Sequence, residues 1–143
     1  MSHNKFTVGA LEVCDLPQLE ITKLHVRVDT GAQTSSLHVD NIEEFTVNDE
    51  RWVSFDIHPD VHNVDTVVRR KAKVHDTRIV KSSSGDKEQR NVIETHIVLG
   101  NETWPIHITL TDRSSMTYLM LLGRQAMDGR VLVDPSNEYL LGQ

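Results

Sequence analysis

The stretch Val26-Arg27-Val28-Asp29-Thr30-Gly31-Ala32-Gln33-Thr34-Ser35-Ser36-Leu37 decides how this chain folds. An alternating apolar run, Leu24, Val26 and Val28, has the period of two that marks a strand with one face buried. It runs straight into an acid followed by Thr-Gly, and glycine lets the backbone turn tightly enough to project that acid from a loop. Taken alone, an Asp-x-Gly turn could be a plain hairpin.

The second informative stretch lies far downstream. Leu119-Met120-Leu121-Leu122-Gly123-Arg124 is an apolar strand ending at glycine, which by itself reads as an ordinary core strand. The rest of the chain has the same texture. Trp52, Val53, Phe55 and Ile57; Val92, Ile93, Ile97 and Leu99; and Ile106, Ile108 and Leu110 form short, mostly alternating runs. Asn48-Asp49-Glu50, Pro59-Asp60, Ser82-Ser83-Ser84-Gly85-Asp86 and Gly100-Asn101 supply turn chemistry between them. Helix is expected only at Asn41-Ile42-Glu43-Glu44-Phe45, one turn at most, and from Gly123-Arg124-Gln125-Ala126-Met127. The expectation is one all-β domain over residues 1–143.

Composition supports an ordinary globular chain: 143 residues, 38% hydrophobic and 25% charged, enough for a core without staples. A net charge of −6 argues against a protein built to track phosphate backbones, so no nucleic-acid partner is expected. Cys14 is the only cysteine, which excludes an intramolecular disulfide and a cysteine-based zinc cluster. No run approaches the roughly 18 apolar residues of a membrane span, and Met1-Ser2-His3-Asn4-Lys5-Phe6 lacks a signal-peptide core, so a cytoplasmic location with no membrane partner is expected. Arg69-Arg70-Lys71-Ala72-Lys73 is a basic cluster in an acidic chain, read first as a solvated strand face and second as an anion contact.

The two stretches together resemble the retropepsin-like aspartic peptidases, whose signature is apolar-apolar-Asp-Thr/Ser-Gly-Ala with a later apolar-apolar-Gly-Arg/Asn. More narrowly, the chain is similar to a bacterial family labelled ATP-dependent zinc protease and associated with ATP-grasp ligases of the ribosomal-protein-modifying type. The further landmarks are Arg51-Trp52-Val53-Ser54-Phe55, Arg90-Asn91-Val92-Ile93-Glu94-Thr95, Trp104-Pro105-Ile106 and Leu110-Thr111-Asp112-Arg113, so the resemblance covers nearly the whole chain. Gln33 departs from it, standing where many relatives would carry Arg or Lys.

The resemblance implies a closed retropepsin-like barrel with a flap hairpin and at most one or two short helices. It implies catalysis by Asp29, with Thr30, Gly31 and Ala32 supporting its loop and Leu122, Gly123 and Arg124 forming the second loop. Two adjacent carboxylates cannot both ionise, so one acts as acid while the other activates water. One Asp-Thr-Gly supplies half of such a pair, which implies a homodimer with Asp29 and its mate across a two-fold axis. The flap is expected around Val80–Glu88, with Ser83, Ser84 and Gly85 at its tip. Peptide or protein is the substrate class, acidic if the link to a ligase holds; an amide hydrolase for glutamate-rich tails and a non-catalytic peptide-binding module are the other readings.

No cofactor and no metal is expected, despite the label. His-Glu-x-x-His is absent, and His58 and His62 straddle Pro59 without an obvious third ligand. His25, His75, His96 and His107 fall in strand-like runs and read as sheet residues, while His38 is close enough to the acid loop to contact the site. ATP has no phosphate loop here to bind. Asp134, in Val131-Leu132-Val133-Asp134-Pro135, is the one alternative second acid, read as a strand-end turn residue.

Overall fold

A computed structural model describes residues 5–58, 67–81, 85–112 and 118–142. The strands are β1 (Phe6–Val8), β2 (Leu11–Leu16), β3 (Ile21–Val28), β4 (Ser35–Val47), β5 (Glu50–Ile57), β6 (Val68–Lys81), β7 (Lys87–Leu99), β8 (Glu102–Asp112), β9 (Met120–Leu122) and β10 (Val131–Val133). A single α-helical turn, α1 (Arg124–Met127), and a 3-10 turn at Pro17–Leu19 complete the described elements. Eight strands form one sheet in the order β2-β3-β9-β4-β5-β6-β7-β8, and the further pairings β2–β7 and β4–β8 close it on itself. The fold is the retropepsin-like barrel that the alternating runs and the two motifs predict.

Alternation places the core. Leu24 and Val26 on β3, Val53, Phe55 and Ile57 on β5, and Ile106 and Ile108 on β8 all point inward and are fully buried. Side chains of this size each contribute about 1.5–3 kcal/mol when buried, so the barrel interior drives the fold. The turns form where Asn, Asp and Gly permit positive φ: Asn48 (φ 51°) and Asp49 (φ 66°) join β4 to β5 as a two-residue hairpin, and Gly100 (φ 63°) turns β7 into β8. Pro105 fits within β8 because the pairing of β8 with β4 begins only at Ile108, leaving its other side unladdered at that point.

Asn41–Phe45 is not a helical turn. It continues β4 across a register shift between Asp40 and Glu43, with Asn41 at φ 52°. A bulge absorbs the local polarity that suggested a helix. The expected helix after Gly123 is present as α1, and Trp104 anchors it by donating its indole N–H to the Ala126 carbonyl at 2.8 Å. The basic cluster lies on β6, and three of its four cations are engaged within the chain: Arg69 bonds Asp56, Arg70 donates to the Leu19 carbonyl at 2.7 Å, and Lys73 pairs with Glu50. Cys14 is buried, and burial, helped by the Asp15 charge, pushes its thiol up to about 12, so it packs rather than reacts.

Two polar devices fasten the chain ends to the barrel. The buried Glu12 carboxylate accepts the backbone N–H groups of Gly9 (2.7 Å), Leu140 (3.0 Å) and Leu141 (3.2 Å). β1 and β10 pair in parallel as a separate two-stranded ribbon, with Phe6 opposite Val131 and Val8 opposite Val133. Glu12→Ala leaves three amides without their acceptor, at about 1–3 kcal/mol for each that stays buried. The expected outcome in a urea titration is a clearly lower midpoint with an unchanged slope; an unchanged midpoint contradicts the clamp.

Candidate active site

The short strand β9 lies between the strand that enters the acid loop and the strand that leaves it. It runs parallel to β3, with Val26, Arg27 and Val28 opposite Met120, Leu121 and Leu122, and antiparallel to β4, with Ser36 opposite Leu121. The loop from Asp29 to Thr34 is therefore pinned at both ends by one segment. The Asp29 N–H donates to the Leu122 carbonyl at 2.9 Å, the Arg124 N–H to Ala32 at 2.8 Å, and the Gln125 N–H to Gln33 at 2.9 Å. The Arg124 guanidinium reaches the Thr30 carbonyl at 2.8 Å.

Gly123 makes this approach possible. A Cβ there would stand 2.6 Å from the Thr34 carbonyl carbon and 2.9 Å from the Ser35 nitrogen, both backbone atoms that cannot swing away. The Gly123 N–H also donates to the buried Ser35 hydroxyl at 3.0 Å. The sequence motif Leu122-Gly123-Arg124 thus has a distinct physical reason at each position: a carbonyl for Asp29, a missing side chain for Thr34, and a guanidinium for Thr30.

Within the loop, the Gly31 N–H donates to Asp29 Oδ1 at 3.0 Å and the Ala32 N–H to the Asp29 carbonyl at 3.2 Å, so the turn itself orients the carboxylate. Asp29 is half-buried, while Thr30 and Gly31 are exposed. Gly31 has a close-range role too, because a Cβ there would lie 3.3 Å from Asp29 Oδ1.

Two hollows flank the loop. One, of about 700 Å³, lies between Gly31–Thr34 and the arms of the β6–β7 hairpin, and is lined also by Arg78, Ile79, Arg90 and Leu121. The other, of about 670 Å³, is lined by Thr30, Gln33, Arg124, Asp128 and the β10 residues Val131 and Val133. Arg78 and Arg90 face each other directly across β6 and β7, a like-charge pairing that ordinarily costs stability. Arg78 is fixed by Thr34 Oγ1 at 3.0 Å and Asp76 at 3.3 Å, and Arg90 by Glu88 at 3.1 Å. In the sequence Arg69–Lys73 stands out, as a solvated strand face first and an anion contact second, whereas Arg78 and Arg90 carry no local signal and reach the hollow only by hairpin register.

Other expectations are placed as follows. Gly85 sits at the end of the β6–β7 hairpin with φ 92°, while Ser83 and Ser84 lie outside the described residues. Asp134 accepts the Ser136 hydroxyl, the Asn137 amide at 2.7 Å and the Ser136 N–H at 3.0 Å; these bonds hold its carboxyl below the usual range. It is a turn residue, as the sequence suggests. His38 is buried in β4 and is not among the residues lining either hollow. His58 pairs with Asp40 at 2.7 Å, and His62 lies outside the described residues. No described helix is long and apolar enough to cross a membrane.

Replacing Gly123 with Ala forces backbone to move, and overpacking of this kind costs about 1–3 kcal/mol. The expected outcome is a lowered denaturation midpoint for Gly123→Ala, larger than for an Ala substitution at exposed Gln33; equal midpoints contradict the close approach.

Comparison with known proteins agrees with this architecture. A solved structure of a protein of unknown function, Lpg0085 from Legionella pneumophila subsp. pneumophila str. Philadelphia 1, superposes with a TM-score of 0.78 at 25% identity, covering 96% of this chain and 99% of that one. Proteins named "Probable alpha-L-glutamate ligase" are similar in sequence: 47% identity over 143 residues in Shewanella pealeana (strain ATCC 700345 / ANG-SQ1), and 49% over 138 residues in Parasynechococcus marenigrum (strain WH8102). The matches take in 100% and 96% of this chain, which spans only about a third of those relatives, 31% and 30% of their lengths. The family described as "RimB-like: Retropepsin-like aspartic endopeptidase RimB" matches residues 7–143. The chain belongs to this RimB-like family of retropepsin-like proteins.

Proposed function

We propose that this protein is an aspartic-type peptidase whose site is completed by a second copy of the chain, and that its substrates are acidic. The observation that carries the reading is the Asp29 loop: one carboxylate, oriented by Gly31 and held from behind by Leu122, on a loop whose next residues, Thr30 to Thr34, line the two flanking hollows. A lone carboxylate has no partner to share a proton with, and a mate brought across a two-fold axis supplies it. One Asp29 would then take a proton from water as the other protonates the scissile amide oxygen.

The ribbon of β1 and β10 supports an isologous contact on the face that carries the loop. Leu132 on β10 is 54% exposed, and Val131 and Val133 line the same hollow as Thr30. Its two strands have only each other as partners among the described residues, and such edges favour pairing with another chain. The β6–β7 hairpin serves as the flap, presenting Ile79, 71% exposed, to the hollow beside the loop.

The preference for acid rests on Arg78 and Arg90. Guanidinium groups recognise carboxylates by paired, charge-assisted hydrogen bonds, and these two, already beside Asp76 and Glu88, line the hollow next to the loop, where an acidic substrate would have to exchange for those carboxylates. Relatives named as glutamate ligases suggest a glutamate-rich chain as that anion; a functional link to an ATP-grasp ligase is part of the same proposal.

Asp29→Asn is expected to keep the fold and lower peptide hydrolysis by roughly 10²–10⁴-fold, measured with purified protein, while Asp134→Asn retains it; full activity in Asp29→Asn removes the proposal. Arg90→Ala is expected to lower kcat/KM on a glutamate-rich peptide by about tenfold or more, the worth of one charge-assisted hydrogen bond of about 1.5–3 kcal/mol, and to spare a neutral peptide. Equal losses on both peptides contradict acid selectivity and leave the peptidase reading standing.

A further inference from the structure

On the outer face of the barrel, three adjacent strands bring together two imidazoles and a carboxylate. Glu94 of β7 and His107 of β8 are direct cross-strand partners. His75 of β6 is the extra residue at the register shift between Val74, opposite Ile93, and Asp76, opposite Val92. The shift is what admits His75 to this group, since a bulge re-aims the side chain of its unpaired residue. The Glu94 carboxylate oxygen Oε2 lies 3.1 Å from His107 Nε2 and 4.0 Å from His75 Nδ1. The rings are 4.5 Å apart, tilted by 31°.

We infer that His75, Glu94 and His107 form a binding site for a divalent transition-metal ion, distinct from the Asp29 site. One ligand atom from each residue lies within 4.8 Å of the others. Around an ion bound at about 2.0–2.1 Å in tetrahedral geometry, ligand atoms sit about 3.4 Å apart, so the 4.0 Å edge needs to shorten by about 0.6 Å and the remaining edge, within 4.8 Å, by no more than about 1.4 Å. The side chains are free to do so: His75 and Glu94 are 44% and 51% exposed and His107 24%. Two imidazoles with one carboxylate suit Zn²⁺, Co²⁺ or Ni²⁺ rather than Mg²⁺ or Ca²⁺, with water filling the open side.

The simpler reading is a surface ion pair between Glu94 and one histidine. It leaves unexplained why a second imidazole converges on the same oxygen. A divalent ion satisfies all three groups at once. Neighbouring charges are engaged elsewhere: Asp76 with Arg78 and the Thr77 N–H, Lys73 with Glu50. The site would tie β6, β7 and β8 together at the root of the hairpin. It also lies one residue from the acid loop, since the His107 N–H donates to Gln125 Oε1 at 3.1 Å and the Gln125 N–H to the Gln33 carbonyl.

The test is titration of Zn²⁺ into the metal-free full chain against a chromophoric chelator, with no reference to peptidase activity. The expected result is tight binding of one ion that weakens at least about tenfold, on the scale of losing a supporting group, in His75→Ala, His107→Ala and the near-isosteric Glu94→Gln. His96→Ala, on the same strand as Glu94, is expected to bind as the wild type does. Co²⁺ should give ligand-field absorption that these three variants lose and His96→Ala keeps. Affinity and stoichiometry unchanged in the His75→Ala/His107→Ala double variant, or no binding by the wild type up to millimolar Zn²⁺, overturns the inference.

Discussion

The insertion of β9 between β3 and β4 is the constraint on which the rest depends. Three residues, Met120 to Leu122, complete the ladder for both the strand that delivers Asp29 and the strand that carries the chain away. The backbone then passes so close to Thr34 that position 123 has no room for a Cβ. A loop held by backbone hydrogen bonds at both ends can be small, polar and exposed without losing its shape. Rigidity of that kind is what a catalytic carboxylate needs, because its position has to be fixed before substrate arrives.

In the proposed peptidase the same chain supplies half a site. The barrel places one Asp-Thr-Gly loop beside a two-stranded ribbon whose Val131 and Val133 share a hollow with Thr30, and the other candidate acid, Asp134, is bound into its own turn. The hollow on the other side of the loop is lined by an opposed arginine pair, Arg78 and Arg90, each with a carboxylate of its own strand beside it, Asp76 and Glu88.

Much of this was legible in the residues. Leu24, Val26 and Val28 announce a strand by period, and Asp29-Thr30-Gly31 paired with Leu122-Gly123-Arg124 announces the loop and its support. What stayed hidden depends on register. Asn41–Phe45 reads as a helical turn because Glu43 and Glu44 are good helix formers, yet the hairpin at Asn48-Asp49 commits the segment to β4 and a bulge takes up the misfit. Arg78 and Arg90 are twelve positions apart and carry no local signal; only the pairing of β6 with β7 sets them face to face. Conversely, Arg69–Lys73 is conspicuous as a run, but alternation and nearby acids consume it. His75 and His107 are sheet residues as the sequence says, and sharing a face with Glu94 is again a matter of register.

Subunit mixing tests the central claim, that two copies of Asp29 make one site. Wild-type chain is exchanged with increasing proportions of Asp29→Asn chain at fixed total concentration, and peptide hydrolysis is followed. If each site draws one carboxylate from each copy, activity falls as the square of the wild-type fraction. If it falls in simple proportion to that fraction, each chain works alone and the shared site is wrong.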